Sequence, residues 1–273
     1  MTGRSPCGTV FRKGNGNYFG RGIGMYQRVL LVDPATGFYK TRKYGLDRYF
    51  GPADLGIHLT EEYGTLNFGV GIFAGSIFPG SNRLVVTGFS PCWQGYYISS
   101  MGGAGLVFDN LGINMLSLAG KAAVPSVLYL NRRHGEEIEV EVVPLDVETV
   151  WKSGRTGVYS LTDTVYGMFG SRYEKDPRIL VTGPAALHTD MGGIMSVPIS
   201  RGKISHVDTW AGRGGFGSAM VRNHGIVAII YGGTVVHEDF RDNLVADQWF
   251  RDKYNLRLVE KDAEHQGVAI GVD

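Results

Sequence analysis

The stretch Asp208-Thr209-Trp210-Ala211-Gly212-Arg213-Gly214-Gly215-Phe216-Gly217-Ser218-Ala219-Met220-Val221-Arg222 holds four glycines and an arginine within the six residues from Gly212 to Gly217. A helix-forming run follows, and then the apolar strand Ile226–Tyr231. Glycine lets the backbone turn through φ > 0 and approach a neighbour closely. The start of a helix carries N–H groups without intrahelical partners, which suit an anion and phosphate above all. Arg213 adds a permanent charge with a planar fork of donors. The expectation is a phosphate-cradling turn. A tight turn that merely packs a helix on a sheet is the plainer alternative. Gly212, Gly214 and Gly217 also match the spacing G-x-G-x-x-G. A dinucleotide site, however, needs a strand running straight into the first glycine and an acid at the end of the next strand. Here the approach His206–Trp210 is short and polar, and the next strand ends in Tyr231-Gly232-Gly233 with no acid, so that reading fails.

Working outward, a second glycine turn, Ser100-Met101-Gly102-Gly103-Ala104-Gly105, feeds an expected helix at Leu106–Leu111. Two such turns in one domain suit a ligand with two anionic ends, or two copies of one ligand.

Composition bounds the alternatives. The 273 residues suffice for one large domain or two small ones. Lys+Arg 27 against Asp+Glu 26 leaves no basic footprint for nucleic acid. The 41 glycines are spread without period, so they mark tight turns and close backbone approaches. No run of 18 apolar residues exists for a membrane span, and the polar N-terminus shows no signal peptide, so a cytoplasmic location is expected. Cys7 and Cys92 are the only cysteines and are read as reduced and structural. They are too few for a cubane iron–sulfur cluster, which takes four thiolates. His58, His188, His206, His224 and His237 stand in no ligand spacing.

Along the chain, residues 1–25 form a glycine-rich polar arm. Arg28–Val32, the turn Asp33–Gly37 and Phe38–Tyr44 read as a hairpin. Leu46–Leu59 reads as a short helix interrupted near Pro52. Strands are expected at Val70–Phe73, Arg83–Thr87, Gln94–Ser99, Asn114–Ala119, Ser126–Leu130 and Glu137–Val143, with a turn at Gly88–Cys92. The Glu137–Val142 alternation puts its carboxylates on a solvated face. Helices are expected from Asp146 and over Thr156–Gly170, and strands at Arg178–Thr182 and Ile194–Ile199. Pro198 places the last of these at a sheet edge. Strands with few interspersed helices give an α+β fold with mainly antiparallel sheets. After Gly233 the pattern changes to a charged helical tail, 234–273, suited to docking on a partner chain or second domain.

These segments carry a resemblance. Val29–Gly37 with its Asp-x-x-Thr-Gly turn, Pro79–Val86 followed by Ser90-Pro91, Gly102-Gly103, Ala119–Ala122 with Pro125, Thr182–Ala185 and the Ala211–Met220 element resemble the N-terminal pterin-binding domain of the aldehyde:ferredoxin oxidoreductase family. The order holds over about residues 26–233, and the Ala-Gly-Arg-Gly-Gly-x-Gly element is its most specific piece. The resemblance implies a two-sheet base carrying two pterins that chelate one tungsten or molybdenum: a bis-tungstopterin or bis-molybdopterin. It implies that Arg83 contacts a pterin. It implies a Mg²⁺ bridging the pterin phosphates, held at Ser100 and by the backbone carbonyl of Trp210. Gly102, Gly103, Gly212, Arg213 and Gly214 complete the expected cofactor contacts. Three positions depart from the family pattern. Ser100 replaces an asparagine, Thr209 replaces an arginine, and Gly51-Pro52-Ala53-Asp54 stands where the family has Gly-Gly-Arg-Gly. A serine hydroxyl can still coordinate Mg²⁺, but with a shorter reach.

The family's iron–sulfur cysteines and catalytic acids lie in helical domains beyond this stretch, and this chain has no C-x-x-C. The resemblance therefore implies a split subunit or a fragment, with a larger partner carrying the 4Fe–4S cluster and ferredoxin or another carrier taking the electrons. The expected reaction is two-electron oxidation of an aldehyde to a carboxylic acid, or a related low-potential conversion. It would proceed under anaerobic conditions in a hetero-oligomer, and the isolated chain would be inactive. The alternatives are a non-catalytic scaffold or assembly module with a degenerate pterin fold, and a nucleotide-phosphate binder using the Gly212 turn.

Overall fold

The structure is a computed structural model and describes residues 26–75, 80–205, 207–235, 252 and 255. The arm 1–25 and nearly all of the expected tail 234–273 lie outside the described residues.

The chain opens with the expected hairpin of β1 (Tyr26–Asp33) and β2 (Phe38–Gly45). Asp33 closes it, accepting from the Ala35 amide at 2.9 Å and the Thr36 hydroxyl at 2.9 Å. Helix α1 (Pro52–Tyr63) follows. Pro52 opens this helix and does not interrupt it, because a first-turn residue has no intrahelical use for an N–H. Asp54 fixes the start by accepting from the Phe50 and Gly51 amides at 2.7 and 2.9 Å.

Next come β3 (Leu66–Gly69), β4 (Leu84–Ser90), β5 (Gly95–Met101), α2 (Ala104–Asp109) and β6 (Met115–Leu118). The strand expected at Val70–Phe73 falls four residues earlier, where Phe68 pairs with Val86 and Leu116. The turn expected at Gly88–Cys92 begins later, because β4 stays paired to Ser90.

The second half holds β7 (Ser126–Arg132), β8 (Glu139–Pro144), α3 (Val147–Trp151), α4 (Gly157–Phe169), β9 (Arg178–Val181), α5 (Ala185–His188), β10 (Ile194–Ser200), β11 (Lys203–Ile204), β12 (Thr209–Ala211), α6 (Phe216–His224) and β13 (Ile226–Gly233). The short elements α5, β11 and β12 carry too little pattern to be read from sequence.

The strands make two sheets, ordered β2-β1-β6-β3-β4-β5 and β11-β10-β9-β13-β7-β8, with β12 also paired to β10. Pairing is antiparallel except for β1 with β6 and β7 with β13. The fold is thus α+β with two mixed, mainly antiparallel sheets. Strand β10 is not an edge. It pairs with β9 on one side, and β12 and β11 share the other. Pro198 is tolerated because it sits in the gap between those two short partners.

Period-two alternation sorts residues into three cores. Leu30 and Val32 join Phe68, Leu128, Leu130, Ile229 and Tyr231 between the sheets, with Phe108 of α2 and Phe216 of α6 wedged in. Val29 and Leu31 face the other way and pack on Leu55 and Leu59 of α1. On the far side of the second sheet, Leu161, Val165 and Phe169 of α4 stand on one helix face and cover Tyr129, Ile179, Val197 and Ile230. Each such buried side chain contributes about 1.5–3 kcal/mol. Strand β13 is buried on both faces, which explains its unbroken apolar run.

The carboxylates of β8 are not merely solvated. Glu141 and Glu139 pair with Arg172, whose guanidinium lies 3.9 Å from the Tyr129 ring centroid. That pairing lowers the Glu141 carboxyl below its ordinary range. No helix among the described residues is long and apolar enough to cross a membrane.

Candidate functional site

The two glycine-turn segments come from different sheets and lie along one hairpin, β4–β5. In the first sheet, the β4–β5 register sets Leu84 opposite Met101 and Val85 opposite Ser100. Arg83 and Gly102 therefore stand together at the open end of that hairpin. Gly103, at φ +63°, caps α2 in the left-handed region that favours glycine. In the second sheet, β12 runs into Gly212 and Arg213, and Gly215, at φ +66°, caps α6. Two hydrogen bonds tie residues 209–214 to that hairpin, one at each of its ends. The Thr209 hydroxyl donates to the Gly102 carbonyl at 3.0 Å, and the Ser90 hydroxyl donates to the Gly214 carbonyl at 2.8 Å.

All eight expected cofactor residues thus fall on these two adjoining segments. Arg83, Ser100, Gly102 and Gly103 lie at the end of β4–β5. Trp210, Gly212, Arg213 and Gly214 lie along β12 and its turn. Arg83, Ser100, Trp210, Gly212 and Arg213 are exposed, while Gly102, Gly103 and Gly214 are buried. Among the described residues neither Arg83 nor Arg213 has an ion pair. A Cβ on Gly212 would meet no atom within 4 Å, so nothing in the described fold requires glycine there, and its backbone is open to a ligand. The exposed arginines and this open glycine can each meet an anionic group, Arg83 at the open end of the hairpin and Arg213 toward its turn.

One expectation about these turns needs correction. Two glycine amides in the first turns of these helices are already used. Gly105 donates to the Asn82 carbonyl at 2.9 Å, and Gly217 donates to the Gly192 carbonyl at 2.8 Å. These two amides are held by neighbouring backbone and are not free for an anion. Gly105 and Gly217 are small because those carbonyls crowd them: a Cβ on Gly105 would come within 2.6 Å of Asn82 O. The plain packing reading therefore holds for these two glycines, and ligand contact falls to the segments just before each helix.

Sequence reasoning missed the residues that brace the turns. Arg178 and Tyr231 are register partners across β9 and β13. The Arg178 guanidinium donates to the Gly102 carbonyl at 3.3 Å and to the Ser196 hydroxyl at 2.8 Å. The Tyr231 hydroxyl donates to the Ala104 carbonyl at 3.0 Å, and burial raises its pKa. The available signal was a polar end on residues that otherwise read as strand core.

Other candidates lie elsewhere. Cys92 is a free thiol donating to the Asp190 carbonyl at 2.7 Å; Cys7 lies outside the described residues. His58 pairs with Glu62 and stacks on Tyr49, and His224 is buried, its Nδ1 donating to the Gly120 carbonyl at 2.9 Å. His206 and His237 lie outside the described residues. No group of three or more His, Cys, Asp or Glu side chains among the described residues could hold a metal. A 370 Å³ cavity opens under α4, floored by Met195 and Val197. Its Arg155 is already bound by both oxygens of Asp163.

The geometry can be set beside known proteins. The family described as "Aldehyde ferredoxin oxidoreductase, N-terminal domain" matches residues 32–233. Glyceraldehyde-3-phosphate:ferredoxin oxidoreductase of Pyrococcus furiosus is 41% identical over 187 residues, covering 66% of this chain and 28% of that protein. An uncharacterised protein of Methanocaldococcus jannaschii is 33% identical over 164 residues, covering 59% of this chain and 25% of that protein. Among solved structures, the active site complex BamBC of benzoyl coenzyme A reductase, in complex with 1,5-dienoyl-CoA, superposes with a TM-score of 0.61 at 19% identity. It covers 77% of this chain and 32% of that one, and at this identity it shows the fold alone. The chain spans between a quarter and a third of the length of these relatives.

Proposed function

Since the chain belongs to the aldehyde ferredoxin oxidoreductase family, matching its N-terminal domain, we propose that it is the cofactor-binding part of a tungsten- or molybdenum-pterin oxidoreductase. Residues 26–233 form the pterin-binding unit, and residues 234–273 dock on the partner or domain that completes the enzyme. The observation that carries this reading is the Thr209–Gly102 hydrogen bond, which joins the strand leading into the second glycine turn to the first turn, with Arg83 and Arg213 both exposed.

Arg83 and Arg213 supply the charge that a doubly anionic cofactor needs. Gly212 leaves its backbone accessible. Ser100 on β5 and the Trp210 carbonyl on β12, strands of different sheets that lie in contact, are the proposed Mg²⁺ ligands. When bound, the bis-pterin metal centre supplies two-electron redox chemistry, and the protein positions and tunes it. The substrate is an aldehyde oxidised to an acid, or a related low-potential compound. A 4Fe–4S cluster on a larger partner would supply the electron exit toward ferredoxin or another carrier. The chain is inactive alone and works in a reducing cytoplasm.

A scaffold with a degenerate pterin fold is the second reading. It is favoured by the Ser100 and Thr209 departures and by the helix amides already spent on Asn82 and Gly192. Elemental analysis of the anaerobically purified protein with its partners attached separates the two. Tungsten or molybdenum near one per chain, with about four iron per complex, supports the enzyme reading; intact partners with neither tungsten nor molybdenum leave the scaffold.

A further inference from the structure

The Gly102 carbonyl accepts from two side chains of the opposite sheet. Arg178 reaches it from β9 at 3.3 Å and Thr209 from β12 at 3.0 Å. Arg178 is 7% exposed, and its Nε is committed to Ser196, which is itself fully buried. Ser196 is the register partner of Thr209 across β10 and β12. The residue opposite Arg178 in the sheet, Tyr231, holds the Ala104 carbonyl at 3.0 Å. The carbonyls on both sides of Gly103 are therefore pinned by adjacent side chains from one place in the second sheet. A guanidinium fork fixes direction as well as distance, which an ammonium on a flexible stem does not.

We infer that Arg178 is a positioning residue for the cofactor. Through Gly102 it sets the Gly102–Gly103 turn, and with it Ser100 and Arg83, in fixed register against Thr209, Trp210 and the Gly212 turn. The inference rests on the pterin-binding reading above. It gives the Thr209 departure a structural role: the threonine has become the second donor to the carbonyl that Arg178 holds. Its proposed action on the cofactor runs through Gly102.

The test uses the complete complex with its partners, purified anaerobically. Four forms are compared with the parent: Arg178→Lys, Thr209→Val, their double mutant, and Trp151→Phe as a stability control. Trp151→Phe removes a buried hydrogen bond from Trp151 to the Thr182 carbonyl, in the core beyond the far face of the second sheet. The readouts are pterin retained per chain after dilution and the melting temperature. Arg178→Lys is expected to shorten pterin retention about tenfold, the scale of one charge-assisted hydrogen bond. Trp151→Phe should lower the melting temperature with retention unchanged. The two single losses should be non-additive in the double mutant, because both donors share one acceptor.

Unchanged retention in Arg178→Lys overturns the inference. So does additivity, or a retention loss that merely tracks melting temperature across all variants. Should Arg178→Lys fail to fold, Thr209→Val decides alone, by losing retention at an unchanged melting temperature or by keeping it. A parent complex with no pterin refutes the pterin reading itself and this inference with it; a parent with pterin and an unaffected Arg178→Lys refutes only the inference.

Discussion

The amide of Gly217 donates to the carbonyl of Gly192 at 2.8 Å, so the first turn of α6 is bonded to the strand approach of β10 and not to solvent. A Cβ on Gly217 would collide with the Gly193 carbonyl oxygen. Alanine in a helix normally gains about 1 kcal/mol over glycine. Here the backbone collision outweighs that gain, and overpacking costs about 1–3 kcal/mol. Gly217→Ala should lower the melting temperature by several degrees, read by calorimetry; an unchanged or higher value would show that the α6–β10 contact yields easily.

Gly212 is the counter-case. It is exposed and has open space where a Cβ would go. Gly212→Ala should leave the melting temperature unchanged and reduce pterin content in the purified complex. Loss of stability with full pterin content would make Gly212 a structural turn.

Arg83→Ala and Arg213→Ala should each behave like Gly212→Ala, and more strongly. Both side chains are exposed, and neither has an ion pair among the described residues, so stability should change by less than about 0.5 kcal/mol. Pterin and metal per chain should fall. An Arg83→Ala complex that keeps its full pterin complement would remove Arg83 from the site.

His224 makes stability depend on pH. Burial lowers its pKa to about 4, with the Gly120 carbonyl opposing that shift. Unfolded, the imidazole titrates near its ordinary value of about 6.5. Between these values the unfolded chain binds the proton and the folded chain does not. Stability is therefore full above about pH 6.5 and falls as the pH drops toward 4, by about 3 kcal/mol at 1.36 kcal/mol per pH unit. Denaturant midpoints at pH 7 and pH 4.5 should show the loss, and His224→Gln should flatten that part of the slope. A slope identical in both proteins would assign it to other groups.

Trp151→Phe should cost about 1–3 kcal/mol, because its indole N–H is donated at 3.0 Å to a buried carbonyl that would lose its partner. Chemical denaturation reads this directly. A change within 0.5 kcal/mol would mean that the Thr182 carbonyl finds another donor.

The sequence by itself determined the α+β class, most strands and helices, and the membership carried by the Ala211–Met220 element. It could do so because alternation, helix caps and turn residues are local. The eight site residues were named by the resemblance, which rests on local motifs; that Arg83 and Arg213 are exposed only the tertiary structure decided. The sequence misplaced Pro52 and Pro198, whose effects depend on whether a helix begins or a sheet continues at that point. Only the tertiary structure decided where the amides and carbonyls of the glycine turns go. Asn82 and Gly105 lie 23 residues apart, Gly192 and Gly217 lie 25 apart, and Arg178 and Gly102 lie 76 apart. Such partners are chosen by how distant elements pack in three dimensions. The same glycine that reads as an open phosphate seat in sequence is therefore, at Gly105 and Gly217, the space another carbonyl needs.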